Sequence, residues 1–259
     1  RDVAGGDQLL VPFLVSGARD EGGPFLVAET HQRVKNLGHG PLSAQQTEHH
    51  HVGLGGGRQD FRLPAFISDH YEVHEWRHAS AILAHDFPDE WRDIVDVLTA
   101  FRLRREWIEV GGGNKSRVSA FIDGALARRG WSERQFRTGI VVDDSLTESP
   151  THKVDCFKNG IGLEIEWNNK DPFYDRDLNN FRLLFDLRAL SVGVIVTRSD
   201  ALQRIFRTLG RGSSYGESTT HMSKLLPRIE GGGGAGCPLL VFGITEALYV
   251  EGRGDEQRE

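Results

Sequence analysis

The sequence contains only two cysteines, Cys156 and Cys237, and neither belongs to a CxxC pair. This scarcity excludes a disulfide scaffold of the kind found in small secreted domains. It favours the reducing environment of the cytoplasm, so disulfide bonds are not expected to stabilise the fold.

Long apolar runs are also missing, because no stretch approaches the roughly 18 residues that a membrane-spanning helix needs. The best candidate, LLVPFLV at Leu9–Val15, is short, contains a proline and follows Asp2 and Asp7 instead of a basic segment. We therefore expect neither a membrane span nor a signal peptide. The chain begins at Arg1 and not at Met, which leaves its natural start open.

The sequence also lacks an excess of positive charge. Lys and Arg number 31 against 37 Asp and Glu, a formal net charge of -6, which argues against a generic basic coat for nucleic acid. Local clusters such as Arg128-Arg129 remain, so the total charge does not identify the partner. What is present is an ordinary globular composition, 38% hydrophobic over 259 residues, with enough length for one large domain or two small ones.

The periodicity of apolar residues divides the chain. Residues 1–62 show no sustained period and are predicted to be a poorly structured N-terminal extension. Residues 63–250 are predicted to form one domain, with a helical head at 71–130 and a catalytic core at 138–246. In the head, Trp76, Ala79, Ile82 and Leu83 predict a helix, Pro88 begins a second one, and Asn114 or Ser116 caps a third.

The most informative stretch is VDCFKNGIGLEIEW, from Val154 to Trp167. Asn-Gly is the strongest short signal for a two-residue β-hairpin turn, because both positions accept a positive φ. The resulting register pairs Cys156 with Leu163 and Asp155 with Glu164. Glu166 then lies on the same face as these carboxylates, and the opposite face carries the apolar residues, including Val154 and Cys156.

Downstream, Asp171-Pro172 opens a helix, VGVIV at Val192–Val196 predicts a buried strand, and two further helices precede a last strand, LLVFGIT, at Leu239–Thr245. A hairpin followed by alternating helices and strands predicts an α/β fold: a mixed central β-sheet with flanking helices.

The carboxylates of the hairpin need an explanation. At an effective dielectric near 20, two unit charges about 5 Å apart repel by roughly 3 kcal/mol. A raised pKa, a cation such as Lys153 opposite Glu166, or a divalent metal would offset this repulsion. A metal uses all three carboxylates, and hard oxygen ligands suit Mg²⁺. A solvated strand face with Lys153 as counter-ion is the alternative from spacing alone.

The pattern of Asp155, Glu164 and Glu166 resembles the site of the PD-(D/E)xK nucleases. The surroundings resemble one branch of them, the type II restriction endonucleases of the BglII and BstYI group. The resemblance runs from about Tyr71 to Thr245. It rests on the order and spacing of the hairpin and four other segments: the PDEW motif at Pro88–Trp91, ALARRGW at Ala125–Trp131, SSYGE at Ser213–Glu217 and CPLLVFGI at Cys237–Ile244.

The resemblance implies a restriction-endonuclease-like fold and a Mg²⁺-dependent endonuclease of a restriction-modification system. Asp155 and Glu164 would ligate the metal and Glu166 would take the third position, where relatives tend to carry Gln and the wider superfamily Lys. Its role as ligand or base therefore stays open. Cleavage would leave a 3′-hydroxyl and a 5′-phosphate. The candidates for a fourth acidic metal ligand, from an upstream helix, are Glu72, Glu75 and Glu109.

The resemblance also implies a partner and its recognition. Double-stranded DNA with a short palindromic site, by likeness one with a GATC core, would be bound by a two-fold homodimer. Base contacts are expected from Asn168, Asn169 and Lys170 and from Ser213, Ser214 and Tyr215, since Asn and Lys suit the edges of A and G. An ordinary polar turn is the alternative for either group.

One motif competes with this interpretation. His74-Glu75-Trp76-Arg77-His78 is a literal HExxH, which on a helix would place two imidazoles on one face for zinc, with Glu75 as general base of a metalloprotease. Arg77 is unusual in such a motif, and no third ligand is evident. Three alternatives therefore stand beside the restriction enzyme: a zinc metalloprotease, a repair or phage nuclease, and a DNA-binding protein without catalysis.

Overall fold

A six-stranded mixed β-sheet organises the protein. The computed structural model describes residues 13–15, 63–110 and 115–252, which belong to one compact unit. Apart from Phe13–Val15, the predicted N-terminal extension, residues 1–62, lies outside these described residues. The strands are β1 Phe13–Val15, β2 Tyr71–Trp76, β3 Leu103–Arg104, β4 Ser132–Arg134, β5 Thr138–Val142, β6 Ser145–Glu148, β7 Val154–Lys158, β8 Ile161–Ile165, β9 Val192–Arg198, β10 Leu239–Ile244 and β11 Tyr249–Val250.

The helices alternate with the strands through most of the chain. They are α1 Ala65–His70, α2 Ala79–Asp86, α3 Pro88–Ala100, α4 Arg105–Glu109, α5 Arg117–Ala127, α6 Phe173–Asp186, α7 Gln203–Thr208 and α8 Met222–Glu230, with 3-10 turns at Asp200–Leu202 and Glu246–Leu248. None of the described helices has the length and apolarity to cross a lipid bilayer.

The strand order of the main sheet is β2-β10-β9-β8-β7-β4. Strands β8, β9 and β10 are parallel, while β7, β4 and β2 run antiparallel to their neighbours. The predicted α/β fold with a mixed central sheet and flanking helices is confirmed. The strands Thr138–Val142 and Ser145–Glu148 form a separate small sheet with β1.

Two apolar cores cover the two faces of the main sheet. Residues of α1 to α5 and α7 pack on one face, with Val194 of β9 and Phe242 of β10, and we call this the first core. Helices α6 and α8 pack on the other, with Ile195 and Val241, and form the second core. Both faces of β9 and β10 are buried, which is why these strands are continuous apolar runs.

Helix α6 lies very close to the sheet because two glycines face it. Gly162 of β8 pairs with Gly193 of β9. A Cβ on Gly162 would lie 3.2 Å from Phe181 Cε1, and one on Gly193 would lie 2.5 Å from Phe181 Cδ2. The two glycines therefore let the Phe181 ring approach the backbone, which brings the first turns of α6 beside the end of β8.

The head differs from its prediction at its beginning. Residues Tyr71–Trp76 form a strand, not a helix, and pair with β10 along their whole length. The helix starts only at Ala79. Pairing with an open sheet edge overrides the weak helical period here, and the aromatic and β-branched residues of this segment suit a strand. Ser116 caps α5 as predicted, since its side chain accepts from Ser119 N; Asn114 lies outside the described residues.

Candidate active site

The Asn159-Gly160 turn forms as predicted, with φ of 47° and 87°. Asn159 Nδ2 donates a hydrogen bond to Glu90 Oε1 at 2.7 Å, which anchors the turn to α3. The register pairs Lys158 with Ile161, Phe157 with Gly162 and Cys156 with Leu163. The part of the predicted register nearest to the turn is therefore confirmed.

A β-bulge changes the hairpin beyond Cys156. Ser132 pairs with Phe157 but Arg134 pairs with Val154, so two steps along β4 match three along β7. Val154 consequently packs in the second core with Phe157, whereas Cys156 belongs to the first. The prediction that Val154 and Cys156 share a face is wrong, because one extra residue in a strand reverses the side chains that follow it.

The bulge gives Asp155 a special position. Its main-chain N–H donates to Glu164 Oε2 at 3.4 Å, and its Oδ2 accepts from the main-chain N–H of Ile165 at 3.1 Å. Each strand thus offers a carboxylate side chain to a main-chain N–H of the other strand. These bonds replace the predicted ladder pair of Asp155 and Glu164. The two carboxylates are brought together, though by these bonds and not by simple opposition across the ladder.

Four carboxylates, those of Asp155, Glu164, Glu166 and Asp177, meet beside α6. Alternation along β8 turns Glu164 away from the first core and towards the helix. Glu164, Glu166 and Asp177 of α6 are each 1% exposed. Asp177 was missed from sequence, since FYDRDL is an ordinary first turn of a helix. Only the close packing of α6 on Gly162 and Gly193 brings it to the strand.

Burial governs the protonation of this group. It raises the pKa of Glu164 well above its usual range, and the charges of Asp177 and Asp155 raise it further. Burial and the neighbouring Asp177 raise the pKa of Glu166 to about 9. The pKa values of Asp155 and Asp177 are also raised, in both cases chiefly by burial. The cluster therefore holds protons or binds a cation at neutral pH.

Among the described residues, the cation that faces the cluster is Arg176. Its Nη2 lies 2.7 Å from Asp177 Oδ1 and 3.5 Å from Glu166 Oε1, and its charge lowers the pKa of all four carboxylates. Lys153, expected opposite Glu166, instead pairs with Glu133 at 2.6 Å. That expectation is wrong because the bulge re-aims the residues at the start of β7.

An open cleft of about 650 Å³ lies next to the hairpin. Its lining includes five of the nine residues predicted as site residues: Asp155, Asn168, Asn169, Ser214 and Tyr215. Lys170 is not among the lining residues and forms a bridge with Thr219, and Ser213 lines a neighbouring pocket instead. Glu164 and Glu166 are buried behind the cleft wall, where Asn169 Nδ2 donates to Glu166 Oε2 at 2.9 Å.

Two polar atoms of the cleft-lining residues lack a hydrogen-bond partner among the described residues. They are Asn168 Oδ1 and Arg211 Nε, and both are buried. Asn168 has a φ of 58°, a left-handed conformation that asparagine tolerates. Arg211 was not predicted, because a single arginine in a polar turn carries no signal of its own. Together the two residues offer an acceptor and a donor to a polar ligand.

The candidate fourth ligands lie elsewhere. Glu72 is bonded to His74 at 3.1 Å, Glu75 accepts from Ser80, and Glu109 pairs with Arg105. None of the three lines the cleft. Besides Glu164, the described acidic residues that act on Asp155 include Asp123 of α5, which shares the cleft lining, and Asp177.

Oxygen donors suited to a hard divalent cation are present, although the described residues hold no ready-made set of three His, Cys, Asp or Glu ligands. Among those residues Glu164 Oε1 and Asp177 Oδ2 are buried without a hydrogen-bond partner. A buried carboxylate oxygen left unpaired is costly, and a cation such as Mg²⁺ removes that cost. The chemistry of these residues therefore fits such an ion.

The HExxH motif does not form a zinc site of the protease type. Its first three residues lie on β2, where His74 pairs with Val241, and Arg77 and His78 both have a φ of 57°. The motif requires a helix to place both imidazoles on one face. The helical basis of the metalloprotease alternative is therefore wrong.

Comparison with known proteins gives one family. The family model described as restriction endonuclease BglII/BglIII matches residues 71–244, about two thirds of the chain. The matched region begins at β2 and ends with β10, and it includes the hairpin, α6 and the cleft. No individual curated protein matches the chain significantly.

Proposed function

The chain belongs to the restriction endonuclease BglII/BglIII family, and from this premise we propose that it is a Mg²⁺-dependent type II enzyme of a restriction-modification system. The family implies a site-specific nuclease that binds double-stranded DNA. The observation that carries the finer proposal is the hairpin itself: Asp155 lines an open polar cleft while bonded to the buried Glu164 behind it.

We assign the metal ligands to the carboxylates of the hairpin. Asp155 and Glu164 would hold Mg²⁺, with Glu164 Oε1, which has no hydrogen-bond partner in the described part of the chain, as one donor. When bound, the ion would act as a Lewis acid at the scissile phosphate and lower the pKa of a water molecule. Glu166 would complete the site, as a further ligand or as the acceptor of the proton that the attacking water loses.

Arg176 would support this chemistry by balancing charge. The four clustered carboxylates and an approaching phosphate would repel one another, and a guanidinium within 3.5 Å of Glu166 reduces that repulsion. Hydrolysis by an activated water would break the bond from phosphorus to the 3′-oxygen. The products would carry a 5′-phosphate and a 3′-hydroxyl.

Sequence recognition would lie along the wall of the cleft. Asn168 and Arg211 supply an acceptor and a donor that no described residue pairs, and groups of this kind read base edges in the major groove. Asn169, Ser214 and Tyr215 line the same cleft. Lys170 and Ser213, at its margin, suit contacts to phosphate or to the neighbouring bases. A palindromic site, by family likeness one with a GATC core, would require a homodimer with two equivalent clefts.

A plasmid assay tests the proposal. The protein is incubated with plasmid DNA of known sequence in Mg²⁺ and in EDTA, beside Asp155→Ala and the control Asp69→Ala, an exposed residue of α1. Discrete fragments with 5′-phosphate ends should form only with Mg²⁺, for the parent and for Asp69→Ala. Their sequenced ends give the recognition site. Binding to DNA without any cleavage would instead indicate a DNA-binding protein that has lost catalysis.

A further inference from the structure

The main chain of Glu166 is held from outside its own strand. Ladder pairing of β8 ends at Ile165, and the Glu166 carbonyl oxygen accepts two threonine hydroxyl groups, from Thr197 at 3.0 Å and from Thr220 at 3.2 Å. Both threonines are 0% exposed. The backbone position of Glu166 is therefore set by these hydroxyls as well as by the sheet.

Thr220 also holds the residues that follow Glu166. Its hydroxyl oxygen accepts from Asn169 N at 3.1 Å, and its own N–H donates to the Asn169 carbonyl at 2.9 Å. One side chain thus bridges Glu166 and Asn169, which are the two ends of the segment that carries Asn168 into the cleft.

The adjacent Thr219 belongs to the loop on the other side of the cleft. Its hydroxyl accepts from Arg198 Nη2 at 2.9 Å and donates to the Gly216 carbonyl at 2.7 Å. The same guanidinium nitrogen donates to the Tyr215 carbonyl at 3.2 Å. Arg198 is 2% exposed and extends from the end of β9, so this loop is fixed to the central sheet.

Tyr215 extends the connection into the cleft. Its ring stacks on Phe206 at 4.0 Å between centroids and meets the edge of Trp167 at 5.9 Å. Trp167 directly follows Glu166. The loop at 213–217 and the end of the hairpin strand are therefore linked twice, through the aromatic rings and through Thr219 and Thr220, which we call the threonine clasp.

We propose, on the basis of the proposed endonuclease function, that the threonine clasp couples DNA recognition to cleavage. Thr219 and Thr220 are positioning residues: they contact neither metal nor DNA, and they fix Glu166 relative to the loop that contacts the bases. A correct site lets the loop at 213–217 and Asn168 engage together, which leaves Glu166 in its catalytic position. A wrong base pair displaces the loop, and the clasp transmits that displacement to Glu166.

The size of the required displacement supports this role. Catalytic groups must be held within about 0.5 Å of their productive positions, and a shift of about 1 Å can lower a rate by about 10²-fold. The connection from Tyr215 to Glu166 passes through buried or partly buried hydrogen bonds of 2.7 to 3.2 Å and through the peptide bond that joins Thr219 to Thr220. Because these groups are closely packed, a displacement of Tyr215 cannot be absorbed along the connection and reaches Glu166.

Thr220→Val tests the inference, because valine keeps the shape of the side chain and removes its hydroxyl. Thr220→Ser keeps the hydroxyl, and Thr208→Val removes an exposed hydroxyl from α7 as the matched control. Each variant is assayed on a duplex with the site found for the parent enzyme and on duplexes with one base pair changed. Single-turnover cleavage rates, dissociation constants in EDTA and thermal midpoints are measured.

Thr220→Val should bind the correct duplex within about twofold of the parent but cleave it roughly 10- to 100-fold more slowly, as expected for lost buried hydrogen bonds. Its preference for the correct over the altered duplex should shrink, and Thr220→Ser should restore both the rate and the preference. Thr219→Val should behave in the same way and provides the test if Thr220→Val does not fold.

Two results would overturn the inference. In the first, folded Thr220→Val and Thr219→Val cleave both duplexes like the parent. In the second, rate and affinity fall together on every duplex, as they would after a merely structural defect. Neither result bears on the endonuclease function, which depends on cleavage by the parent enzyme.

Discussion

Asp155 and Glu164 are joined at the end of the hairpin by a hydrogen bond from the Asp155 N–H to Glu164 Oε2 at 3.4 Å. The bond leaves Glu164 Oε1 buried and without a partner among the described residues, while Asp155 reaches the cleft. One carboxylate is therefore accessible from the cleft and the other is concealed, and both would hold Mg²⁺ in the proposed site.

Asp155→Asn should remove cleavage while the protein stays folded. The substitution keeps an oxygen that can accept from Ile165 N but removes the charge that would hold Mg²⁺. We expect single-turnover cleavage to fall by about 10³-fold, since several kcal/mol of transition-state stabilisation come from the metal. Isothermal titration of the protein with Mg²⁺ should show weaker binding as well. Unchanged cleavage would show that Asp155 is not a metal ligand.

Glu166→Gln should retain cleavage within about tenfold of the parent. Glutamine keeps the length and shape of the glutamate side chain, and its amide oxygen can still accept the hydrogen bond from Asn169 Nδ2. Its amide oxygen can still serve as a metal ligand. The rate is compared with that of Glu164→Gln, which should be far slower. If both glutamine variants are equally inactive, Glu166 acts as the ionised base.

Arg176→Met should slow cleavage by roughly 10²-fold, the loss typical when one preorganised charge is removed from a catalytic site. The four carboxylates would then face one another with less compensation, so a higher Mg²⁺ concentration should be needed for half-maximal rate. Arg176→Lys should recover part of the loss. Arg182→Met, an exposed arginine on the same helix, is the control. A loss in Arg176→Met that Mg²⁺ concentration does not influence would contradict the electrostatic role.

Arg211→Ala should change what the enzyme recognises. A base contact of this kind contributes about 1–3 kcal/mol, so cleavage at the correct site should fall by roughly 10- to 100-fold. Sequenced fragment ends should show a relaxed preference at one position of each half-site. Arg182→Ala serves as the control for loss of a surface charge. A uniform decrease on all duplexes, with unchanged preference, would make Arg211 a phosphate contact.

Asp200→Asn should reduce the loss of thermal stability that accompanies a fall in pH. Partial burial raises the pKa of Asp200, but hydrogen bonds from Ser223 and the neighbouring His221 outweigh this and hold the pKa below its ordinary value. A lowered folded-state pKa contributes stability that is present above the unfolded value, about 4, and lost as the pH falls below it. Thermal midpoints from pH 7 to pH 3 should therefore decline less steeply than in Asp69→Asn.

Several features followed from the sequence alone. Asn-Gly determined the turn, since few other pairs accept two positive φ values, and the near register followed from it. The buried strands β9 and β10 followed from continuous apolar runs, and the family resemblance is confirmed by the match over residues 71–244. Local propensity and order along the chain are enough for such features.

Tertiary structure decided the rest. Tyr71–Trp76 became a strand because β10 offered an open edge, which ended the helical interpretation of the HExxH motif. The bulge in β7 depends on the pairing of β7 with β4, so no sequence pattern within the hairpin predicted it. Asp177 and Arg176 joined the carboxylates only because two glycines let α6 approach the sheet. Sequence thus determined which residues could do the chemistry, whereas long-range packing decided which of them meet.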